Sequence, residues 1–356
     1  MKKIDFTLFF IFIILYSLGL LWQFSASGVE LIIYGKMETF IKFLIYSIMS
    51  ISAMILFIYV PRKIFIKYSK PIFYLSLLLL IIVYFPFLGS HGDYRRWIYL
   101  FGLSFQPSEL YKLTLILFAS YVLSKDYYLW EKGRHLFPLI FLAFIGVILI
   151  VFETDFSTGV LTYLIFLSVL YIGTYKTKHF YIPFSLLIFA PIVIFLKKEW
   201  LNRIIGTLYP FKKLTQEGYQ IAQSLIAIGS GGFFGLGYMN GKQKFLYVPL
   251  VSKDFIFSLI CEETGIIGGG IVVFIYLILL IRGYSISMKV PDVFFKILAF
   301  GITTHIFSQA IIVVGVNLGL FPTTGLTLPF ISYGGSSLLI NGIEAGILLN
   351  ISRFVE

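Results

Sequence analysis

The sequence predicts an all-α, polytopic integral membrane protein with ten transmembrane helices and one large external loop between the seventh and eighth, and three observations lead there. Of 356 residues, 59% are hydrophobic and only 13% charged, against about 25% charged in an ordinary soluble domain. Mean hydropathy is +0.94, and repeated apolar runs approach the roughly 20 residues needed to cross a hydrocarbon core about 30 Å thick. The short alternating segments of a membrane β-barrel do not occur.

Apolar runs bounded by charge, proline or glycine place the spans near 6–24, 39–60, 71–88, 107–124, 136–152, 158–175, 180–197, 256–281, 295–317 and 336–352. The first run ends in Ser25-Ala26-Ser27, which looks like a signal-peptide cleavage site. Its length and the many spans that follow favour a retained first helix. The net charge of +11 raises the question of nucleic acid. The basic residues instead sit in short inter-helix loops, and no nucleic-acid partner is expected. Lys2, Lys3, Arg62, Lys63, Lys125, Arg134, Lys176, Arg282 and Arg353 fall on one side, which sets both termini in the cytoplasm. One domain, 1–356, is expected, with 198–253 as an extracytoplasmic loop lying partly in the membrane interface.

Little chemistry comes from cysteine or histidine. Cys261 is the one cysteine, and His91, His135, His179 and His305 lack ligand spacing. Gly229-Ser230-Gly231-Gly232 with Gly235 and Gly237 fails both nucleotide-loop patterns, because Phe234 and Gln243 occupy required positions. A tight turn where backbones approach closely is the better reading. Four other clusters collect on the external side: Arg95-Arg96-Trp97; Gln106-Pro107-Ser108-Glu109 with Lys112 at i+3; the turn holding Glu153 and Asp155; and the Gly/Ser/Pro-rich stretch 317–337 with Ser332 and Ser336. Acid and base at i and i+3 inside a span can pair. Together the clusters point to one shared external cavity.

Asp254 precedes a long apolar helix, and its pattern reads first as an N-cap. A second reading follows from length: about 28 residues at 1.5 Å each make roughly 42 Å, so the first turns can stand above the hydrocarbon. Asp254 would then sit at the outer mouth as a general base, with Lys242 and Lys244 nearby for phosphate. Glu262 and Glu263 divide evenly between structure and function.

These blocks, from Ser25-Ala26-Ser27 through Lys253-Asp254-Phe255, Glu262-Glu263-Thr264-Gly265 and Leu328-Pro329-Phe330-Ile331-Ser332-Tyr333-Gly334-Gly335-Ser336-Ser337, closely resemble the SEDS family (shape, elongation, division and sporulation), the FtsW/RodA proteins. The resemblance runs the length of the chain, and at 324–331 it leans to the division branch. It implies a peptidoglycan glycosyltransferase of the bacterial cytoplasmic membrane that polymerises lipid II on the outer face. A class B penicillin-binding protein and division or elongation proteins would be its partners, and membrane lipid its surroundings. The family's essential aspartate falls on Asp254, which would take the acceptor hydroxyl proton or hold a divalent cation, Mg²⁺ or Mn²⁺, that polarises it. Arg95, Arg96, Trp97, Glu109, Lys112, Lys242, Lys244, Ser332 and Ser336 would bind substrate and pyrophosphate, with Asp155, Glu262 and Glu263 as supporting acids. The family's usual proline and glycine are replaced by Thr154 and Ser157, and Lys253 replaces a threonine, which should lower the pKa of Asp254. Competing implications are a lipid II flippase and a polymerase of another lipid-linked polysaccharide.

Overall fold

A computed structural model describes residues 3–85, 96–100, 103–125, 136–153, 155–174, 184, 198–212, 216–245 and 251–355. The predicted span 180–197, Arg95 and the three histidines other than His305 lie outside the described residues. Helices α1 (Phe6–Tyr34), α2 (Glu38–Tyr59) and α3 (Arg62–Ile82) precede a two-stranded antiparallel hairpin, β1 (Ile98–Leu100) and β2 (Leu103–Phe105). There follow α4 (Pro107–Lys125), α5 (Leu136–Phe152), α6 (Phe156–Gly173), α7 (Lys198–Leu208), α8 (Gln216–Gly231), α9 (Ile256–Lys289), α10 (Val293–Asn317) and α11 (Gly335–Ser352). Among the described residues six helices (α1, α2, α3, α6, α9 and α10) are long and apolar enough to cross a membrane, and the chain is a multi-pass membrane protein.

The helices sort by polarity, as bilayer solvation demands. On the outer helices α1, α2, α3 and α9, large side chains such as Phe10, Ile48, Leu56, Phe274 and Ile281 are exposed. The central helix α4 is buried on nearly every face, and it carries Glu109 and Lys112 inward. Polar groups are costly in hydrocarbon unless partnered, so a charged helix belongs in the middle of the bundle.

Two departures from the sequence reading concern helix ends. Helix α1 continues ten residues beyond the predicted stop at 24, so Ser25 and Ser27 are buried helical residues. Near its far end, Glu30 accepts hydrogen bonds from the Thr39 backbone N–H at 3.1 Å and from the Thr39 hydroxyl, tying α1 to α2. The loop 198–253 is also more ordered than a single interfacial helix: it holds α7 and α8.

The turn after α8 forms the close backbone contact expected of its glycines. Helix α9 is interrupted at Gly265, where φ is 72° and ψ −175°. Around this break the Leu236 and Gly237 N–H groups donate to the carbonyls of Glu262 and Glu263, both at 3.0 Å, and Ile266 N–H donates to Gly232 O at 2.9 Å. The loop thus satisfies polar groups that the broken helix frees. A Cβ on Gly265 would lie 2.2 Å from Phe233 O, and one on Gly235 2.2 Å from Glu263 O. Only glycine fits at either place.

Helix direction gathers the functional end. Helices α4, α6, α9 and α11 all begin, and α10 ends, at the end of the bundle that carries the hairpin. The contacts Gln106 to Ser336, Arg96 to Glu153 and Asp254 to Asn317 confirm it. At the opposite end Asp5 pairs with Arg282 at 3.1 Å, and Arg62 packs over the rings of Phe295 and Phe354.

Candidate active site

Asp254 stands just ahead of α9, but the helix is capped by something else. The N-cap position is Phe255, and no side chain of its own closes the first turn. Asn317, at the end of α10, does so: its Oδ1 accepts from Ser258 N–H at 3.0 Å, while its Nδ2 donates to the Asp254 carbonyl at 2.9 Å. Because a neighbouring helix satisfies the orphan donor, the Asp254 carboxyl is released from capping, and the N-cap reading is corrected. Among the described residues that carboxyl has no hydrogen-bond partner.

The segment carrying Asp254 is strapped down through its backbone. Ser252 O accepts from Gln23 Nε2 at 2.7 Å and from Tyr333 N–H at 2.8 Å, and Lys253 O accepts from the Ser332 hydroxyl at 2.6 Å. Ser332 therefore holds the strap. The Ser336 hydroxyl accepts from Gln106 N–H at 2.9 Å and donates to Ser104 O at 3.2 Å, locking β2 to α11.

Asp254 lines a polar pocket of about 230 Å³ with Lys253, Trp97, Glu109 and Thr158, closed by Tyr333 and Gly335. Four helices, α4, α6, α9 and α11, begin around it. Their N-terminal dipoles favour negative charge there. Burial pushes the Asp254 carboxyl up to about 7 and Asp155 adds to the rise, while Lys253 and Arg203 pull against it. The lowering expected from Lys253 is thus present but outweighed by desolvation.

Asp155 braces the rim of this pocket. One oxygen caps α6 through Thr158 N–H at 3.1 Å, and the other meets Gln106 Nε2 at 3.4 Å and Arg96 Nη1 at 3.9 Å. Arg96 also donates from Nε to the Glu153 carbonyl at 2.9 Å. Its guanidinium ties the turn together instead of lining the pocket, while Trp97 beside it does line the wall. Burial, with the Asp155 charge, pushes the Glu153 carboxyl up to about 9 against the pull of Arg96.

Glu109 and Lys112 pair at 3.0 Å, and Lys112 also donates to Gln309 Oε1 at 2.9 Å. Lys112 is buried and balances Glu109, which lines the pocket. The chain continues inward: His305 Nε2 lies 3.1 Å from the same Gln309 oxygen, and His305 Nδ1 lies 2.7 Å from Glu344 Oε1. The four side chains Lys112, Gln309, His305 and Glu344 thus form one continuous buried polar chain leading inward from the pocket. Gln309, His305 and Glu344 were not singled out from sequence. Their apolar surroundings give no pattern, although a glutamate and a histidine within spans are themselves a signal.

The remaining candidates form a clamp elsewhere. Lys244 Nζ donates to Ser25 Oγ at 2.9 Å, Met239 O at 2.8 Å and Glu263 Oε1 at 2.9 Å. All three ammonium protons are engaged, and the contacts anchor the loop to α1 and α9. Glu262 accepts from the Lys242 and Gln243 N–H groups at 2.7 and 3.0 Å, and the Lys242 side chain is exposed away from the pocket. Both glutamates tie the loop before α9 to that helix. Among the described residues no three His, Cys, Asp or Glu side chains gather as a metal cluster. The Asp254 carboxyl, without a hydrogen-bond partner among the described residues, would be the group to hold a divalent cation in this pocket.

Comparison with known proteins agrees with this architecture. The sequence profile described as "Cell cycle protein", covering FtsW, RodA and SpoVE, matches residues 6–356. The chain is 32% identical over 360 residues to stage V sporulation protein E of Bacillus subtilis, covering 98% of this chain and 97% of that one. It is 34% identical over 361 residues to a probable peptidoglycan glycosyltransferase FtsW of Geobacter metallireducens, covering 99% and 95%. Among solved structures it superposes with TM-score 0.81 on a chain of a peptidoglycan synthase complex, at 24% identity and 98% coverage of both. The TM-score is 0.72 on the rod shape determining protein RodA of Thermus thermophilus, at 24% identity and 98% and 97% coverage. The structural likenesses speak for the fold, and the sequence matches carry the lineage: the chain belongs to the FtsW/RodA/SpoVE family.

Proposed function

We propose that this protein is a peptidoglycan glycosyltransferase that polymerises lipid II into β-1,4 glycan strands, with Asp254 as the base. One observation carries the residue assignment: an unbonded carboxyl with its pKa raised to about 7 stands in a pocket ringed by four helix N-termini. A base poised near the working pH takes a proton efficiently and still exists in the ionised form. The dipoles and Lys253 favour the diphosphate whose charge grows as it leaves.

The donor is α-linked to its diphosphate and the product is β-linked, so one displacement with inversion accounts for the stereochemistry. Asp254 takes the proton of the acceptor 4-hydroxyl, that oxygen bonds to the donor anomeric carbon, and the carbon–oxygen bond to diphosphate breaks. Trp97 offers a face for a sugar ring at the pocket wall. In the alternative, Asp254 would hold a divalent cation, which would supply Lewis-acid polarisation of the acceptor hydroxyl. The pocket end faces outward, both termini lie in the cytoplasm, and a class B penicillin-binding protein crosslinks the strands. That topology follows from the basic residues at the opposite end.

The test is a purified complex reconstituted in liposomes with lipid II in the outer leaflet alone. Glycan strands should form, and Asp254→Asn should slow them by about 10²–10⁴-fold, the range of a lost general base. Movement of lipid II across the bilayer without strand formation would support a flippase instead.

A further inference from the structure

Behind the polar pocket, one side chain serves three of its walls. Gln309 of α10 uses the two ends of its amide in opposite ways: Oε1 accepts from Lys112 Nζ at 2.9 Å, and Nε2 donates to Thr327 O at 2.8 Å, with Thr327 Oγ1 and Ser337 Oγ each 3.4 Å from it. An ammonium only donates and a carbonyl only accepts, so the amide fits one way round. Through Lys112 it sets Glu109, which pairs with that lysine at 3.0 Å, and on its other side it sets Thr327 and Ser337, whose hydroxyls bond at 2.9 Å. Glu109, Thr327 and Ser337 all line the pocket that holds Asp254. They come from α4, the connection between α10 and α11, and α11, and the amide keeps the three in register.

What fixes the amide lies deeper. His305, one turn inward on α10, faces Oε1 with its Nε2 at 3.1 Å, and its Nδ1 lies 2.7 Å from Glu344 Oε1 of α11. Both side chains are fully buried, and neither lines the pocket. His305 stands well before the α10 end at Asn317, roughly 18 Å along the helix axis. Stability alone does not account for such a pair. Ionisable groups inside a span are costly, the second Glu344 oxygen has no partner among the described residues, and well-packed apolar side chains would join α10 to α11 at least as well. We propose that His305 and Glu344 are positioning residues of the polymerisation reaction, acting on the pocket through the Gln309 amide. The inference rests on the glycosyltransferase reading and extends that site one layer inward. Loss of the pair frees the amide to turn, and a wall displaced by about 0.5–1 Å is enough to slow a reaction that depends on orientation.

The test compares paired variants in the purified complex by three readings: the kinetics of lipid II polymerisation, the melting temperature, and backbone hydrogen exchange across 324–328. His305→Leu with Glu344→Leu removes the pair without stranding a buried charge, so it should melt within a few degrees of the parent. It should lower kcat about tenfold with little change in KM, and exchange at 324–328 should quicken. Methionines at the same two places, more adaptable in shape, supply the same reading if the leucines do not fold. His305→Gln with Glu344→Gln sets an amide nitrogen near the place of the ring Nε2 and should keep kcat within about threefold of the parent. In a Gln309→Leu background the leucine pair should cost nothing further, because its route to the pocket is already gone. Unchanged kcat and exchange in the leucine pair, or a loss that simply adds to that of Gln309→Leu, would overturn the proposal. A parent that forms no glycan while exchange at 324–328 still follows the variants would sink the enzymatic reading and leave the internal linkage standing. Polymerisation indifferent to every variant would do the reverse.

Discussion

Glu153 shows how a single carboxyl can tune the pH dependence of stability. Its folded pKa is raised from 4.5 to about 9, so between those values the folded chain keeps a proton that the unfolded chain has released. Stability then falls as pH rises through that window, because the folded state binds more protons. Asp254, raised to about 7, adds a smaller decline of the same sign between its ordinary 3.8 and 7. Glu153→Gln should flatten the larger part of the trend, so that the variant loses less melting temperature than the parent between pH 6 and 8.5, as followed by thermal unfolding in detergent. A parallel decline in both proteins would show that Glu153 is ionised in the folded state. The residue scale is also where sequence and structure diverge most. Asp254 was legible as a candidate, but its release from capping depends on Asn317, 63 positions away, and no local pattern announces that pairing.

At the scale of elements, the break in α9 and the loop before it form one device. Adding a methyl at Gly265 would set it 2.2 Å from a carbonyl oxygen and force a side chain into positive φ. Gly265→Ala should therefore lower stability by about 2 kcal/mol or more, seen as a lower melting temperature. The Lys244 to Glu263 pair holds the other side of the loop. Lys244→Met leaves Glu263 buried without its cation, so it should cost about 3–5 kcal/mol. The double variant with Glu263→Leu should recover part of that loss, and a double variant as unstable as the sum of both singles would refute the pairing. The glycine-rich turn was readable as a close backbone approach because few other uses exist for so many glycines in an apolar chain. The partner of that approach was not readable, since Gly265 sits inside a run that looks like uninterrupted helix. The pairing of Lys244 was hidden for a similar reason: sequence shows a lysine in a loop but not the buried carboxylate awaiting it.

For the whole molecule, hydropathy is the signal that survives best. Among the described residues the helices overlap nine of the predicted stretches, but α3 begins nine residues before its predicted start at 71, and α1 and α9 overrun their apolar runs, because hydropathy marks the bilayer and not the end of hydrogen bonding. Central helices such as α4 are less apolar than peripheral ones, an ordering set by what each faces. Which side of the membrane the pocket faces can be read with cysteine chemistry, since the sole native cysteine, Cys261, is buried and gives little background. In intact cells Lys36→Cys should react with a membrane-impermeant maleimide, whereas Lys63→Cys should react only after permeabilisation. The opposite pattern would invert the topology and put the pocket in the cytoplasm.

The account turns on Asp254 acting as a base with a pKa of about 7. Its most direct test is the initial rate of lipid II polymerisation by the purified complex, followed from pH 5.5 to 8.5 for the parent and for Asp254→Asn. The parent should lose rate about tenfold per pH unit below its pKa as the carboxylate is protonated, and Asp254→Asn should be slow and nearly flat across the range. A flat profile in the parent, with Asp254→Asn equally fast, would contradict it.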